Sequence, residues 1–298
     1  MRVTPTTMMN NLVANLQATQ KSMDQLQQEV STGRRILAVS DDPSAASRVM
    51  WYRSALLEMS RYKNNQDTAT SALETVETAL NQVESALTRA KEIAVAGANS
   101  VQPQASRDAM ATEIGQILDH LVAVGNIYDG ERFIFAGNRS QTKPFSAVGS
   151  PPTAVSYLGD AGAHELQIGP GETLQVNLVG GDVFTGAGNP VDVLMALRGD
   201  LLAGRVPDIS SSRLAEIDAA LDKVLATTAD VGARQNRVES SRTALADQEH
   251  RLAVILDREE SADIVEVTAR LKIAEQNQQI ALATTAKLIR STLIDYLA

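Results

Sequence analysis

Apolar residues near the start of the chain fall three and four positions apart. Leu12, Leu16, Met23, Leu26 and Val30 carry the series, with Thr19 holding its one polar place. That spacing lines them along one narrow stripe, the seam of a coiled-coil-like helix. The helix should stop near Thr32, where Gly33 can adopt the left-handed conformation that closes a helix end. Asp42 then stands where a helix cap is wanted, and Pro43 where the first helical residue would be.

A far longer helix follows. Leu73, Leu80 and Leu87 recur at one heptad position and Val76 and Val83 at the other. Neither Gly nor Pro interrupts residues 44–96, which would span roughly 75 Å at about 1.5 Å per residue. Met110, Ile114, Ile117, Leu121 and Val124 repeat the spacing in a shorter antiparallel partner.

The middle changes period. Leu174, Val176 and Leu178 alternate with polar residues, as do Leu166 with Ile168 and Val155 with Tyr157. Gly169-Pro170-Gly171 and Gly180-Gly181 read as turns between short strands. A small antiparallel β-region is expected over about 138–189, with a short helix near 190–203. Because its composition is independent of the heptad seams, this region is expected to be dispensable for folding of the helices.

The last third is helical again. Ile217, Val224, Val231, Val238, Leu245 and Leu252 fall every seven residues, beside mostly polar companions (Thr228, Gln235, Arg242, Glu249). Asp257 to Asp263 is a polar interruption, and a final helix carries Val267, Leu271, Ala274, Ala281 and Leu288 on one face. Stripes this thin stabilise a helix only when buried against a partner. The economical arrangement pairs helices from both chain ends.

The expected fold is therefore mostly α: a long helical, coiled-coil-like rod built from both chain ends, with a small β-rich domain inserted in the middle. Residues 1–42 and 262–298 form a terminal coiled-coil domain, 43–137 and 205–261 a helical rod, and 138–204 the β-rich outer domain. Rod-core candidates are Leu73, Val76, Leu80, Val83, Leu87, Val231, Val238 and Leu245. The terminal assembly seam is Leu12, Leu16, Met23, Leu26, Val267, Leu271 and Leu288. Alone, the ends bury too little apolar surface to offset ordering at about 1–2 kcal/mol per residue. They are expected to become paired helices only when neighbouring subunits complete the core.

Composition narrows the function. Apolar residues make up 44% of the chain but aromatics only 3%, so aliphatic helix packing must supply the core. Of 18 glycines, 14 lie between Gly125 and Gly204, which marks the middle off from both ends. There is no cysteine, which removes disulfides, thiolate nucleophiles and Cys-ligated metals. A net charge of −9 argues against nucleic acid and anionic membrane as partners. No apolar run is long enough to span a bilayer, and the N-terminus does not read as a secretory signal peptide.

Catalytic motifs are missing. His164-Glu165 begins a zinc-protease string, but Ile168 occupies the place of the second histidine. His120, His164 and His250 are scattered, and no phosphate-binding glycine loop occurs. The expectation is a non-enzyme with no cofactor and no metal. One turn stands out: Gly33, Arg34, Arg35, Asp41, Asp42 and Pro43 form a helix cap that could also serve as an assembly turn. Its arginines could pair with its own carboxylates or with a neighbouring subunit.

The segment VSTGRRILAVSDDPSAA (30–46) resembles the link between the first two helices of flagellins. The likeness continues through NNQDTATSALETVETALNQVESALTRAKEIAVAGAN (64–99), QNRVESSRTALADQE (235–249) and SADIVEVTARLKIAEQNQQIALATTAKL (261–288). Three stretches, MRVTPTTMMNNLVANL, GERFIFAGNRSQTKPF and LIRSTLIDYLA, are similar to the branch of this superfamily found at the hook–filament junction. The resemblance implies a structural adaptor of the bacterial flagellum, exported unfolded by the flagellar type III apparatus. Its implied partners are hook-associated protein 1, flagellin, further copies of itself, and an export chaperone at the C-terminal region. Two other readings stay open. A filament flagellin would polymerise alone, and a soluble coiled-coil signalling or secretion-regulating protein would not enter the flagellum.

Overall fold

The computed structural model describes residues 5–186 and 188–297, without the side chains of Pro5, Thr6, Met8 and residues 287–297. Helix α1 (Pro5–Thr32) is followed by α2 (Pro43–Gly97) and α3 (Gln104–Gly125). Two antiparallel hairpins come next, β1 (Phe145–Val148) with β2 (Ala154–Tyr157), and β3 (Glu165–Gly169) with β4 (Glu172–Gln175). Helices α4 (Gly180–Phe184), α5 (Pro190–Ala203) and the short α6 (Val206–Asp208) lead through a π-helical turn (Ile209–Arg213) into α7 (Leu214–Glu260). The final helix is α8 (Ile264–Leu297).

These elements form two compact units, one of residues 1–58 with 248–298 and one of residues 59–247. In the second unit the heptad leucines close a core. Leu73, Leu80 and Leu87 are buried with Val76 and Val83, against Val231 and Val238 of α7. The polar companions of the α7 seam are not idle. Gln235 donates to Glu77 at 2.8 Å and Arg242 pairs with Asp67 at 2.5 Å, so they tie α7 to α2.

The middle of the chain shares that core. Ile168, Leu174 and Val176 join the same buried cluster as the α2 seam, together with Phe135, Phe145 and Phe184. Ring centroids of Phe184 lie 5.0 Å from Phe135 and 5.2 Å from Phe145, in edge-on contacts. Gln66, fully buried on α2, donates to the Ile168 carbonyl at 2.7 Å, and Asn65 donates to that of Gln167 at 2.8 Å. Side-chain amides thus latch the β3–β4 hairpin onto α2. The expected dispensability of the middle fails on this packing, because its removal would uncover the α2 seam.

Two local expectations also change. Gly180-Gly181 opens α4 instead of making a turn. Gly180 lies so close to Phe135 that a Cβ there would sit 2.7 Å from its carbonyl oxygen. Likewise α7 runs through Asp257 to Glu260, and only residues 261–263 break the helix. Polar side chains on a solvated face do not end a helix; a residue that caps the next one does.

In the first unit, α1 packs along α8 within one chain. The expected partners are therefore both supplied by the same chain. What is thin is the burial. Leu12, Leu16, Met23, Leu26 and Leu271 are only half-buried, while Val267 is buried. Leu288 belongs to α8, but its side chain lies outside the described residues.

Candidate functional site

The first unit contains two turns, one after α1 and one between α7 and α8. Gly33 ends α1 with φ +69°, the left-handed value a Cβ would oppose, and donates its N–H to the Glu29 carbonyl at 2.8 Å. Asp41 then gathers the chain, accepting the backbone N–H of Leu37 at 3.1 Å and of Ala38 at 2.8 Å. Asp42 caps α2, its Oδ1 accepting from the N–H of Ser44 at 3.1 Å and of Ala45 at 3.0 Å. The Ala45 N–H and the Ser44 hydroxyl hold the Asp42 carboxyl below its ordinary value of 3.8. Pro43 follows as the first helical residue.

The second turn repeats the device in three residues. Asp263 Oδ1 accepts from the N–H of Val265 at 3.0 Å and of Glu266 at 3.1 Å, capping α8. The two turns then zip together. Arg35 N–H donates to the Glu260 carbonyl at 2.8 Å, and Ala262 N–H to the Gly33 carbonyl at 2.9 Å.

Charges close the clasp. The Glu260 carboxylate, with a side chain only 10% exposed, takes Arg34 at 2.5 Å and Arg53 at 2.6 Å on the same oxygen. Arg48 pairs with Glu259 at 2.8 Å, and Arg35 donates to the Glu259 carbonyl at 3.1 Å. Arg35 also lies 3.8 Å from Asp42. A nearly buried carboxylate held by two guanidinium groups is costly to leave unpaired. It fixes where α1 leaves α2 against where α8 leaves α7, although more than 200 residues separate the partners in sequence.

All six residues singled out in the first turn thus lie in this clasp, with Asp41 shaping the loop and Asp42 capping the helix. Glu259, Glu260, Arg48, Arg53 and Asp263 were not singled out. The signal available for the last was the likeness of Ser261-Ala262-Asp263 to Ser40-Asp41-Asp42, each ending in an aspartate just before a helix. The eight core candidates, Leu73, Val76, Leu80, Val83, Leu87, Val231, Val238 and Leu245, are all buried in the second unit. They are remote in role from the clasp and belong to packing.

The clasp is held by ion pairs and backbone hydrogen bonds. Among the described residues no three His, Asp or Glu side chains gather to hold a metal ion, and no helix is long and apolar enough to cross a membrane. Apolar side chains do remain open to solvent in the first unit, including Trp51, Leu57, Val265, Ile273 and Ile280.

Known proteins are similar to this chain over most of its length. Residues 3–140 match the bacterial flagellin N-terminal helical region, and residues 214–297 match the bacterial flagellin C-terminal helical region. Flagellar hook-associated protein 3 of Escherichia coli (strain K12) is 25% identical over 285 residues, covering 87% of each chain. The protein of that name from Salmonella typhimurium is 29% identical over 185 residues, covering 62% of this chain and 57% of its own. A solved structure of a putative flagellar hook-associated protein from Vibrio parahaemolyticus superposes with a TM-score of 0.67 at 21% identity. It covers 74% of this chain and 100% of that one. The two family regions together take in about three quarters of the sequence, including both terminal helices and both turns of the clasp, and the chain belongs to the bacterial flagellin family.

Proposed function

We propose that this protein is a structural part of the bacterial flagellum that joins the hook to the filament and catalyses no reaction. The observation that carries the reading is the terminal unit. Two helices from opposite ends of the chain are clasped at Glu260, yet their shared seam is half-buried and a second set of apolar side chains faces solvent. Apolar surface of that kind on a long helix pair marks a contact face. Similarity to proteins named flagellar hook-associated protein 3 supports the junction over the filament itself.

On this reading hook-associated protein 1 lies on the hook side, flagellin on the filament side, and further copies of the chain alongside. Before export an escort chaperone would cover the C-terminal region, where Ile273, Ile280 and Leu282 are exposed. The clasp turn, Gly33 to Pro43, would set the register of the terminal helices during assembly. Electron microscopy of a deletion strain tests the proposal. Hooks should persist without filaments, with flagellin released unpolymerised into the medium; normal filaments on normal hooks would contradict it.

A further inference from the structure

Beside α2, under the loop Tyr128–Ser140, the second unit holds a pocket of about 130 Å³. Val76 and Val176 line it with apolar surface, while Arg132, Asn138, Ser140 and His164 bring polar groups to it. Two carboxylates stand nearby, each bonded to the loop backbone. Asp129 accepts the backbone N–H of Glu131 at 2.9 Å and of Arg132 at 2.8 Å. Asp160 accepts those of Asn138 at 2.7 Å and Gly162 at 3.0 Å. Asn177 holds the other wall, donating to the Gly162 carbonyl at 2.9 Å and accepting from the His164 N–H at 2.8 Å.

The four polar side chains are differently placed. The Asn138 amide, the Ser140 hydroxyl and the His164 imidazole make no hydrogen bond to any described residue. Arg132 is engaged by its own Asp129, at 3.5 Å through Nε. Burial, and then the charge of Arg132, keep the His164 imidazole below its ordinary value of 6.5. Asn138 is exposed and Arg132, Ser140 and His164 are partly buried, so these groups line a solvent-open space where the acceptor of a ligand can reach them.

We propose that this pocket binds a small carboxylate, its oxygens on Arg132, Asn138 and Ser140 and its methyl or methylene group against Val76 and Val176. The guanidinium fork matches a carboxylate in geometry as well as charge. The volume equals that of roughly four waters at about 30 Å³ each, room for acetate or for the head of one acidic side chain. The carboxylate is either a free short-chain acid or an Asp or Glu side chain of another polypeptide. This inference stands apart from the junction reading.

Histidine-ring NMR of the full-length protein tests it, with His164 assigned through His164→Gln. Sodium acetate and the blocked peptide acetyl-Gly-Glu-Gly-amide are titrated separately, at constant ionic strength against chloride. His164 should shift saturably while His120 and His250 stay still. Arg132→Gln should weaken the apparent affinity at least tenfold, and Ser140→Ala, which leaves the loop's backbone bonds in place, a few-fold. Response to both probes assigns the site to a carboxylate on another chain, and response to acetate alone assigns it to a free acid. No saturable shift with either probe, an equal response to chloride, or affinities unchanged in both variants overturns the proposal.

Discussion

The two compact units use the same heptad spacing and reach opposite degrees of burial. Leu73, Leu80 and Leu87 on α2 are 1%, 0% and 0% exposed, in one buried cluster with residues of α3, α5, α7, the β3–β4 hairpin and three phenylalanines. Leu12, Leu16, Met23 and Leu26 lie on α1, which packs along α8, and are only partly buried. Periodicity decides which face of a helix turns inward, but the number of layers decides how far water is excluded. Two helices cover one stripe between them; a third layer is needed to seal it. In the second unit the middle of the chain supplies that layer. In the terminal unit none of the described residues does.

The contrast can be broken from its strong side. Replacing residues 140–200 with a short Gly/Ser linker removes Phe145, Ile168, Leu174, Val176 and Phe184 at once. We expect loss of cooperative unfolding and a fall in helical circular dichroism per residue. A deletion variant that melts like the parent would show that α2 and α7 form the core alone.

A matched pair of substitutions sharpens the same point. Leu80→Ala should cost about 2–5 kcal/mol in denaturant unfolding, as expected for a buried leucine. Leu16→Ala should cost under about 1 kcal/mol, since that side chain is only partly buried and no further layer of described residues seals it. Equal costs would mean that the two seams are equally sealed. Between these lies Glu260→Ala, which frees Arg34 and Arg53 to water and should cost about 1 kcal/mol. Its loss should register in the terminal unit only, as faster amide exchange at Arg35 and Ala262 with Leu80 unchanged.

The smallest effect is acid loosening of the α2 cap. The fold lowers the Asp42 value, so this capping contribution is present above about 3.8 and is lost as pH falls from there through the folded value. Amides of Ser44 and Ala45 should lose protection over that window before the core responds. Asp42→Asn, which can cap without ionising, should abolish the step.

Much of this was legible from local chemistry. Gly33 as a helix stop, Asp42-Pro43 as a start and the helix at 190–203 are written in single residues whose backbone preferences are strong. The clasp was not, because Glu260 looks like any acidic residue on a polar stretch until Arg34 and Arg53 are brought to it from the other end of the chain. The β-region misled for a related reason. Its alternating pattern located β2 and β3, but whether Ile168 faced its own small core or the α2 seam depended on tertiary packing. Gln66 shows the limit most clearly, since a glutamine at a heptad position becomes useful only where the Ile168 carbonyl arrives to meet it.

The central claim is that pairing in the terminal unit is real but shallow, and that neighbouring subunits complete it. Amide hydrogen exchange on a verified monomer tests this most directly. Residues 9–32 and 264–286 should exchange at least a hundredfold faster than residues 73–94, and the gap should close on assembly with partner subunits. Terminal amides as protected as those of α2 in the free monomer would contradict the account.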